Sequence, residues 1–284
     1  MSKKILLINP WIYDFAAYDF WLKPLGLLSL ASLLRRNNHR VHFIDCLDPY
    51  HPAMTATAKK PHRRAYGDGK FFREIIDKPD NLQIISRNYC RYGISRDVFR
   101  EEVSRHQDAD IVLVTSLMTY WYPGVVEAIK IIRELLPQVP IAIGGKYATL
   151  CYEHAVKFSG ADYIIRGAGE KQIFRLLNDL FAEKQYFEPD MDDLDALPYP
   201  ALDLVRKLEQ APIMTSRGCP FTCSYCASHI FNDKFRRRNP LQVVDEIEYW
   251  QKYYGVKNFT FYDDALLVNS SKMIMVLLNE VQKR

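Results

Sequence analysis

The chain has 284 residues, 48% of them hydrophobic and 25% charged, with a formal net charge of +4. That is ordinary globular composition for one or two domains, and it argues against wholesale disorder. So small a charge makes no independent case for nucleic acid, and six scattered cysteines are too sparse for a secreted disulfide framework.

The opening stretch, MSKKILLINPW, offers too few apolar residues before Asn9 and Pro10 for a signal-peptide core. Residues 3–9 read instead as a buried strand. An apolar helix is expected over 24–37, with Pro24 suited to its first turn, and HRVHFIDC (39–46) is the next strand. The helical stretch PLGLLSLASLL falls well short of the ~20 residues of a membrane span. A cytoplasmic protein with no membrane partner is expected. Strand, helix, strand is the unit of a parallel sheet.

Residues 48–106 break the pattern with polar, basic and aromatic sequence, and read as an insertion covering one end of the sheet with short helices. Within it KKPHRR (59–64) reads as a solvated loop. RNYCRYGI (87–94), with Arg87 and Arg91, and LMTYWYPG (117–124) hold aromatic clusters that either pack or line a cavity. Alternation resumes with strand DIVLVTS, helix YPGVVEAIKIIRELLP, strand VPIAIGG, helix YATLCYEHAVKFSG, strand ADYIIRG and helix EKQIFRLLNDLFAEK. Five strands alternating with helices make a doubly wound domain over 1–185, and such sheets bind ligands beyond the carboxyl ends of their strands.

The acidic, proline-bearing stretch 186–209 reads as a linker, after which alternation restarts over 210–284. APIMTS is a strand, the helix PLQVVDEIEYWQKYYG starts near Pro240, VKNFTFYDD is a strand, and the final helix takes Asn269 or Ser270 as N-cap. Two strand–helix units do not make a stable sheet alone. This second domain is therefore expected to be cut short, or to lean on the first or on a partner.

Between the strand and helix of that domain lies SRGCPFTCSYCASH, with Cys219, Cys223 and Cys226 in a C-x3-C-x2-C pattern. Three thiolates plus His229 would suit tetrahedral zinc, although structural zinc sites usually use two short cysteine pairs. Three thiolates alone suit a cubane iron–sulfur cluster whose fourth iron is left open. In this pattern, following a strand and the dipeptide Arg217-Gly218, the chain resembles the radical S-adenosylmethionine superfamily. That resemblance implies a 4Fe-4S cluster on the three cysteines. Its open iron chelates S-adenosylmethionine, whose reductive cleavage gives methionine and a 5′-deoxyadenosyl radical that abstracts hydrogen from an unactivated carbon. It also places Tyr225 against the adenine, and Asp263 and Asp264 against the amino group or ribose, although the family's common Gly-Gly-Glu at that strand end is absent.

The first domain resembles the cobalamin-binding fold found ahead of such barrels. Thr115, Ser116 and Leu117 end one strand, and Gly144 and Gly145 end the next, with 26 residues between Leu117 and Gly144. Glycine there admits a flat nucleotide tail. Gly167, Gly169 and Glu170 match the Gly-x-Gly-Glu turn of these domains, whose helix-start amides suit a polar ligand. The loop after the first strand, PWIYDFAAYDFW, carries no histidine, so bound cobalamin would be histidine-off.

The resemblance covers nearly the whole chain, with 48–106 matched loosely. It implies an α/β architecture, an N-terminal doubly wound parallel sheet followed by the first strand–helix units of a partial (β/α) barrel. The implied activity is cobalamin-dependent methyl transfer to an unactivated carbon, or a related radical modification. The implied partners are an electron donor such as flavodoxin or ferredoxin and a small-molecule or natural-product substrate. Alternatives are a cobalamin-independent relative such as a methylthiotransferase, and a non-catalytic metal-binding module or inactive fragment.

Overall fold

A computed structural model describes residues 2–57, 59–182, 189–232 and 234–284; the expected boundary at 185–186 lies outside them. The first unit opens with β1 (Lys4–Asn9), β2 (Ile12–Asp14), α1 (Leu25–Arg36) and β3 (Arg40–Asp45). It continues with α2 (Pro52–Thr57), β4 (Arg73–Ile76), β5 (Tyr89–Tyr92), α3 (Arg96–Ser104), β6 (Ile111–Ser116) and α4 (Tyr122–Leu135). β7 (Ile141–Gly145), α5 (Lys146–Leu150), α6 (Tyr152–Phe158), β8 (Tyr163–Ile164) and α7 (Gly169–Phe181) complete it.

The five parallel strands stand in the order β3-β1-β6-β7-β8, so the chain reverses direction across the sheet between β1 and β6. Central strands buried on both faces need near-continuous apolar sequence, and all six residues of β6 (IVLVTS) are buried. Phe99 and Val103 of α3 and Val125, Ala128, Ile129 and Ile132 of α4 cover one face. Leu27, Ala31 and Leu34 of α1 and Ile173, Phe174 and Leu177 of α7 cover the other. This is the doubly wound arrangement expected.

The insertion differs from expectation. Besides short helices it holds an antiparallel sheet in the order β2-β5-β4, whose first strand comes from the loop after β1. These strands are three or four residues long, and β5 is buried throughout, so no period-two pattern betrays them. The basic run at 59–64 is also less solvated than expected. Arg63 reaches Asp19 at 2.7 Å, and its side chain is 10% exposed.

The second unit comprises β9 (Ala211–Ile213), β10 (Ser216–Arg217), α8 (Ser228–Phe231), β11 (Arg236–Arg237), α9 (Pro240–Tyr254), β12 (Phe259–Phe261) and α10 (Ile274–Lys283). β9 and β12 pair in parallel, and β10 and β11 form an antiparallel arm. α9 is punctuated as its sequence suggests. The Asn239 side chain accepts from Leu241 N at 2.9 Å, Pro240 starts the helix, and Gly255 ends it at φ +68°. Asn269 and Ser270 do not cap α10. Asn269 sits at φ +48° before a single 3-10 turn, makes no side-chain cap, and α10 follows Met273.

The small sheet is not left alone. Ile213, Val243, Val244, Trp250 and Leu277 share a core with Leu28 of α1. α1 is thus buried on two sides, by its own sheet and by the second unit. Ala201 N donates to Leu28 O at 3.0 Å and reinforces the seam. Among the described residues no helix is long and apolar enough to cross a membrane.

Candidate functional site

A cleft of about 890 Å³, its solvent-filled mouth included, opens beyond the carboxyl ends of β6, β7 and β8. Thr115, Gly144, Gly145, Gly167, Gly169 and Glu170 all line it. Ser116 and Leu117 do not. Ser116 is committed to the strand end, where its hydroxyl donates to Gly144 O at 2.6 Å.

The two adjacent glycines have different reasons. At Gly145, φ is +97° and an added Cβ would meet Ser116 O at 2.5 Å, so the backbone itself demands glycine. At Gly144 the nearest atom to an added Cβ would be Ile165 Cβ at 3.9 Å, so packing does not require glycine there. What the missing side chain preserves is cleft space. Gly26 on α1, absent from the sequence reading, behaves likewise, with nothing within 4 Å of its would-be Cβ. At the start of α7, Gly167 takes φ +71° and donates to Thr149 Oγ1 at 2.9 Å, while Gly169 lets α7 approach Leu30 of α1. Leu27, Leu30, Ile165 and Ile173 make the walls largely apolar.

The far wall comes from the second unit, through Arg217, Phe231 and Asn232. These residues bracket the cysteine loop. Gly218 turns the chain into it at φ +82°, where a Cβ would stand 2.7 Å from Lys234 O. Cys219 and Cys226 are partly buried and Cys223 is exposed, and all three are free thiols. Cys226 N donates to Cys223 O at 3.0 Å, which curls the loop. Cys226 Sγ lies 3.3 Å from Ser228 Oγ, and hydrogen bonds from Ser228 hold this thiol below its ordinary value, against a smaller opposing push from Asp264. Among the described residues no three His, Cys, Asp or Glu side chains stand gathered as a ready metal site. Tyr225 is 91% exposed, and His229 is exposed too.

Asp263 is already engaged. Its carboxylate accepts from Thr215 N at 3.1 Å, from Thr215 Oγ1 at 2.7 Å and from Ser216 Oγ at 2.5 Å. It thereby ties the chain just past β12 to the strand that enters the loop. Asp264, the next residue, is exposed. The aromatic stretch at 87–94 is packing: Arg91 is 3% exposed, lies over the Trp11 ring and pairs with Glu74. Arg87 is exposed on the surface.

An ion pair joins the cleft to the loop. Arg217, two residues before Cys219, pairs through Nη2 with Oε1 of Glu170, in the first turn of α7. Both partners stand in motifs the sequence displays, but their pairing across 47 positions leaves no local signal.

The residues fit the groups the sequence pattern implies. Gly144 and Gly26 leave open a space that side chains would fill, beyond the carboxyl ends of the strands where doubly wound sheets bind ligands. Three unpaired thiols within eight positions are a soft donor set suited to iron and sulfide.

Comparison with known proteins agrees. Residues 86–177 match the B12 binding domain family. An uncharacterized methyltransferase of Pyrococcus horikoshii is 26% identical over 221 residues, covering 67% of this chain and 48% of that protein. The anaerobic magnesium-protoporphyrin IX monomethyl ester cyclase of Synechocystis sp. is 26% identical over 251 residues, covering 79% of this chain and 50% of its own length. The chain thus spans about half the length of these curated relatives. Among solved structures, the radical S-adenosylmethionine methyltransferase TsrM from Kitasatospora setae superposes with a TM-score of 0.65 at 17% identity, covering 100% of this chain and 51% of TsrM. That likeness shows a shared fold. TsrM itself has been solved with cobalamin and a 4Fe-4S cluster, and with tryptophan substrate and an S-adenosylmethionine analogue. The similarity to cobalamin-binding radical S-adenosylmethionine proteins, expected from the cysteine triplet and the glycine pair, is borne out.

Proposed function

We propose that this chain binds cobalamin, histidine-off, in the cleft at the ends of β6 and β7, and a 4Fe-4S cluster on Cys219, Cys223 and Cys226. Together they would serve S-adenosylmethionine-dependent radical methyl transfer to an unactivated carbon. The observation that carries the reading is spatial: the segments flanking the cysteine loop form one wall of the glycine-lined cleft. Two cofactor sites that serve one reaction need that adjacency, and a cobalamin-independent relative has no use for it.

In this reading Cys219, Cys223 and Cys226 would hold a cluster able to supply an electron for cleaving S-adenosylmethionine, and the glycine-lined cleft would hold cobalamin as the methyl carrier. The chain's own residues do the rest. Gly144 and Gly26 keep space for a flat ring system, and Leu27, Leu30, Ile165 and Ile173 exclude water from it. Thr115 offers a hydroxyl at the strand end. Asp263, by holding Thr215 and Ser216, sets where the cysteine loop begins. Its role is then positioning, while exposed Asp264 and Tyr225 remain accessible to a nucleotide seated on the loop. An electron donor of the flavodoxin or ferredoxin kind would reach the exposed Cys223 side, and three free thiols suit a reducing cytoplasm. The acceptor would be a small molecule.

Anaerobic reconstitution with iron, sulfide and cobalamin tests the reading. About four irons and one corrinoid per chain are expected, with S-adenosylhomocysteine or 5′-deoxyadenosine formed on reduction in the presence of S-adenosylmethionine. A preparation that holds zinc, or a cubane without corrinoid, overturns it. Because cyclases stand among the relatives, the mass of a product would separate methyl transfer from ring closure.

A further inference from the structure

We propose that Arg217 is a ligand-binding residue of the cleft, and that through it occupancy of the cleft steadies the cysteine loop. The inference rests on the cobalamin reading and adds the side chain that couples the two sites. Among the described residues lining the cleft, Glu170 and Arg217 carry the only charges. Arg217 spends Nη2 on Glu170, while its Nη1 is shielded from water and bonds nothing. A buried guanidinium N–H without an acceptor is costly, and a ligand that brings an oxygen removes the cost.

The charge balance selects the kind of oxygen. Glu170 already neutralises Arg217, so a second anion in this apolar cleft would face the Glu170 carboxylate across the same guanidinium. An uncharged carbonyl oxygen meets no such opposition. A corrin ring carries carboxamides around its rim, and their carbonyls supply that acceptor. The backbone of Arg217 pairs with Arg236 in the β10–β11 arm, Gly218 follows under Lys234 O, and Cys219 comes next. A contact that fixes Arg217 therefore fixes the entry to the loop.

Binding of aquacobalamin and of dicyanocobinamide, which keeps the corrin carboxamides but lacks the nucleotide tail, is measured on the full chain without its cluster. Absorbance titration reads the affinity and hydrogen exchange reads the amides of 217–227. Arg217→Met is expected to weaken both corrinoids about tenfold or more. Arg217→Lys keeps a cation opposite Glu170 and is expected to fold like the parent. It should still lose affinity, because one ammonium cannot serve Glu170 and the ligand in the guanidinium's two directions. Corrinoid should slow exchange in the loop of the parent and not in either variant. If Arg217→Met does not fold, Arg217→Lys decides. Variants that bind and protect like the parent overturn the inference. Weakening confined to aquacobalamin overturns the carboxamide assignment in favour of the tail phosphate. Should the parent bind neither corrinoid, the cobalamin reading itself fails; parent binding with unaffected variants removes only the role of Arg217.

Discussion

Glu170 and Arg217 are joined by an ion pair that spans the two units, one residue in the first turn of α7 and the other entering the cysteine loop. Their side chains are 5% and 17% exposed. Removing one partner of so sheltered a pair leaves the other without compensation. Glu170→Ala is therefore expected to cost about 3 kcal/mol in urea unfolding, discounted slightly for the residual exposure of Arg217. A loss below about 0.5 kcal/mol would place the pair among ordinary surface contacts.

The glycine pair gives a contrast between stability and binding. Gly145→Ala must hold φ +97° and push against Ser116 O, so unfolding should become easier by about 1–3 kcal/mol. Gly144→Val meets no backbone obstacle and should leave the unfolding midpoint nearly unchanged, yet it fills cleft space. Equilibrium dialysis should find cobalamin binding weakened at least tenfold in that variant. Unchanged binding by Gly144→Val would mean that the cleft is not the cobalamin site.

Much of this was readable beforehand, because the sheet announces itself locally. Runs such as KILLIN and IVLVTS are apolar enough to be buried strands, and the helices between them keep a 3.6-residue period. The strand-end glycines and the cysteine triplet were likewise visible as local spacing. What escaped was set by contacts distant in sequence. β2 is three residues inside a loop and exists only because β5 pairs with it. Asp263 reads as a free strand-end carboxylate, and only the fold shows it holding Thr215 and Ser216, 48 and 47 positions away. Gly26 looks like an incidental glycine in a helix until the cleft beside it is seen.

The six cysteines should divide cleanly. Cys219→Ala, Cys223→Ala and Cys226→Ala are each expected to lose most bound iron and sulfide after anaerobic reconstitution. Cys46→Ala, Cys90→Ala and Cys151→Ala should retain them. Cys46 is buried, with its thiol pushed up by desolvation, and Cys90 is buried too. Iron retained by any one of the first three variants would deny that residue a place as ligand.

A pH dependence follows from Asp45 at the end of β3. Desolvation pushes its carboxyl up to about 6, although Asn9 donates to it at 2.7 Å. The folded state thus keeps a proton that the unfolded chain gives up near its ordinary value of 3.8. Stability contributed by this group is whole below about pH 4 and declines as pH rises through about 6. Asp45→Asn should be more stable than the parent at pH 8, by about 1–2 kcal/mol, with the advantage shrinking to nothing near pH 4. Urea midpoints across that range check it, and an advantage that does not change with pH would remove Asp45 as the cause.

The most direct test of the account is electron paramagnetic resonance of the anaerobically reconstituted, reduced chain, recorded with and without S-adenosylmethionine. The account predicts a cubane signal whose shape changes when S-adenosylmethionine is added, because three cysteines leave one iron free to receive it. No cubane signal, or one that S-adenosylmethionine leaves unaltered, would contradict it.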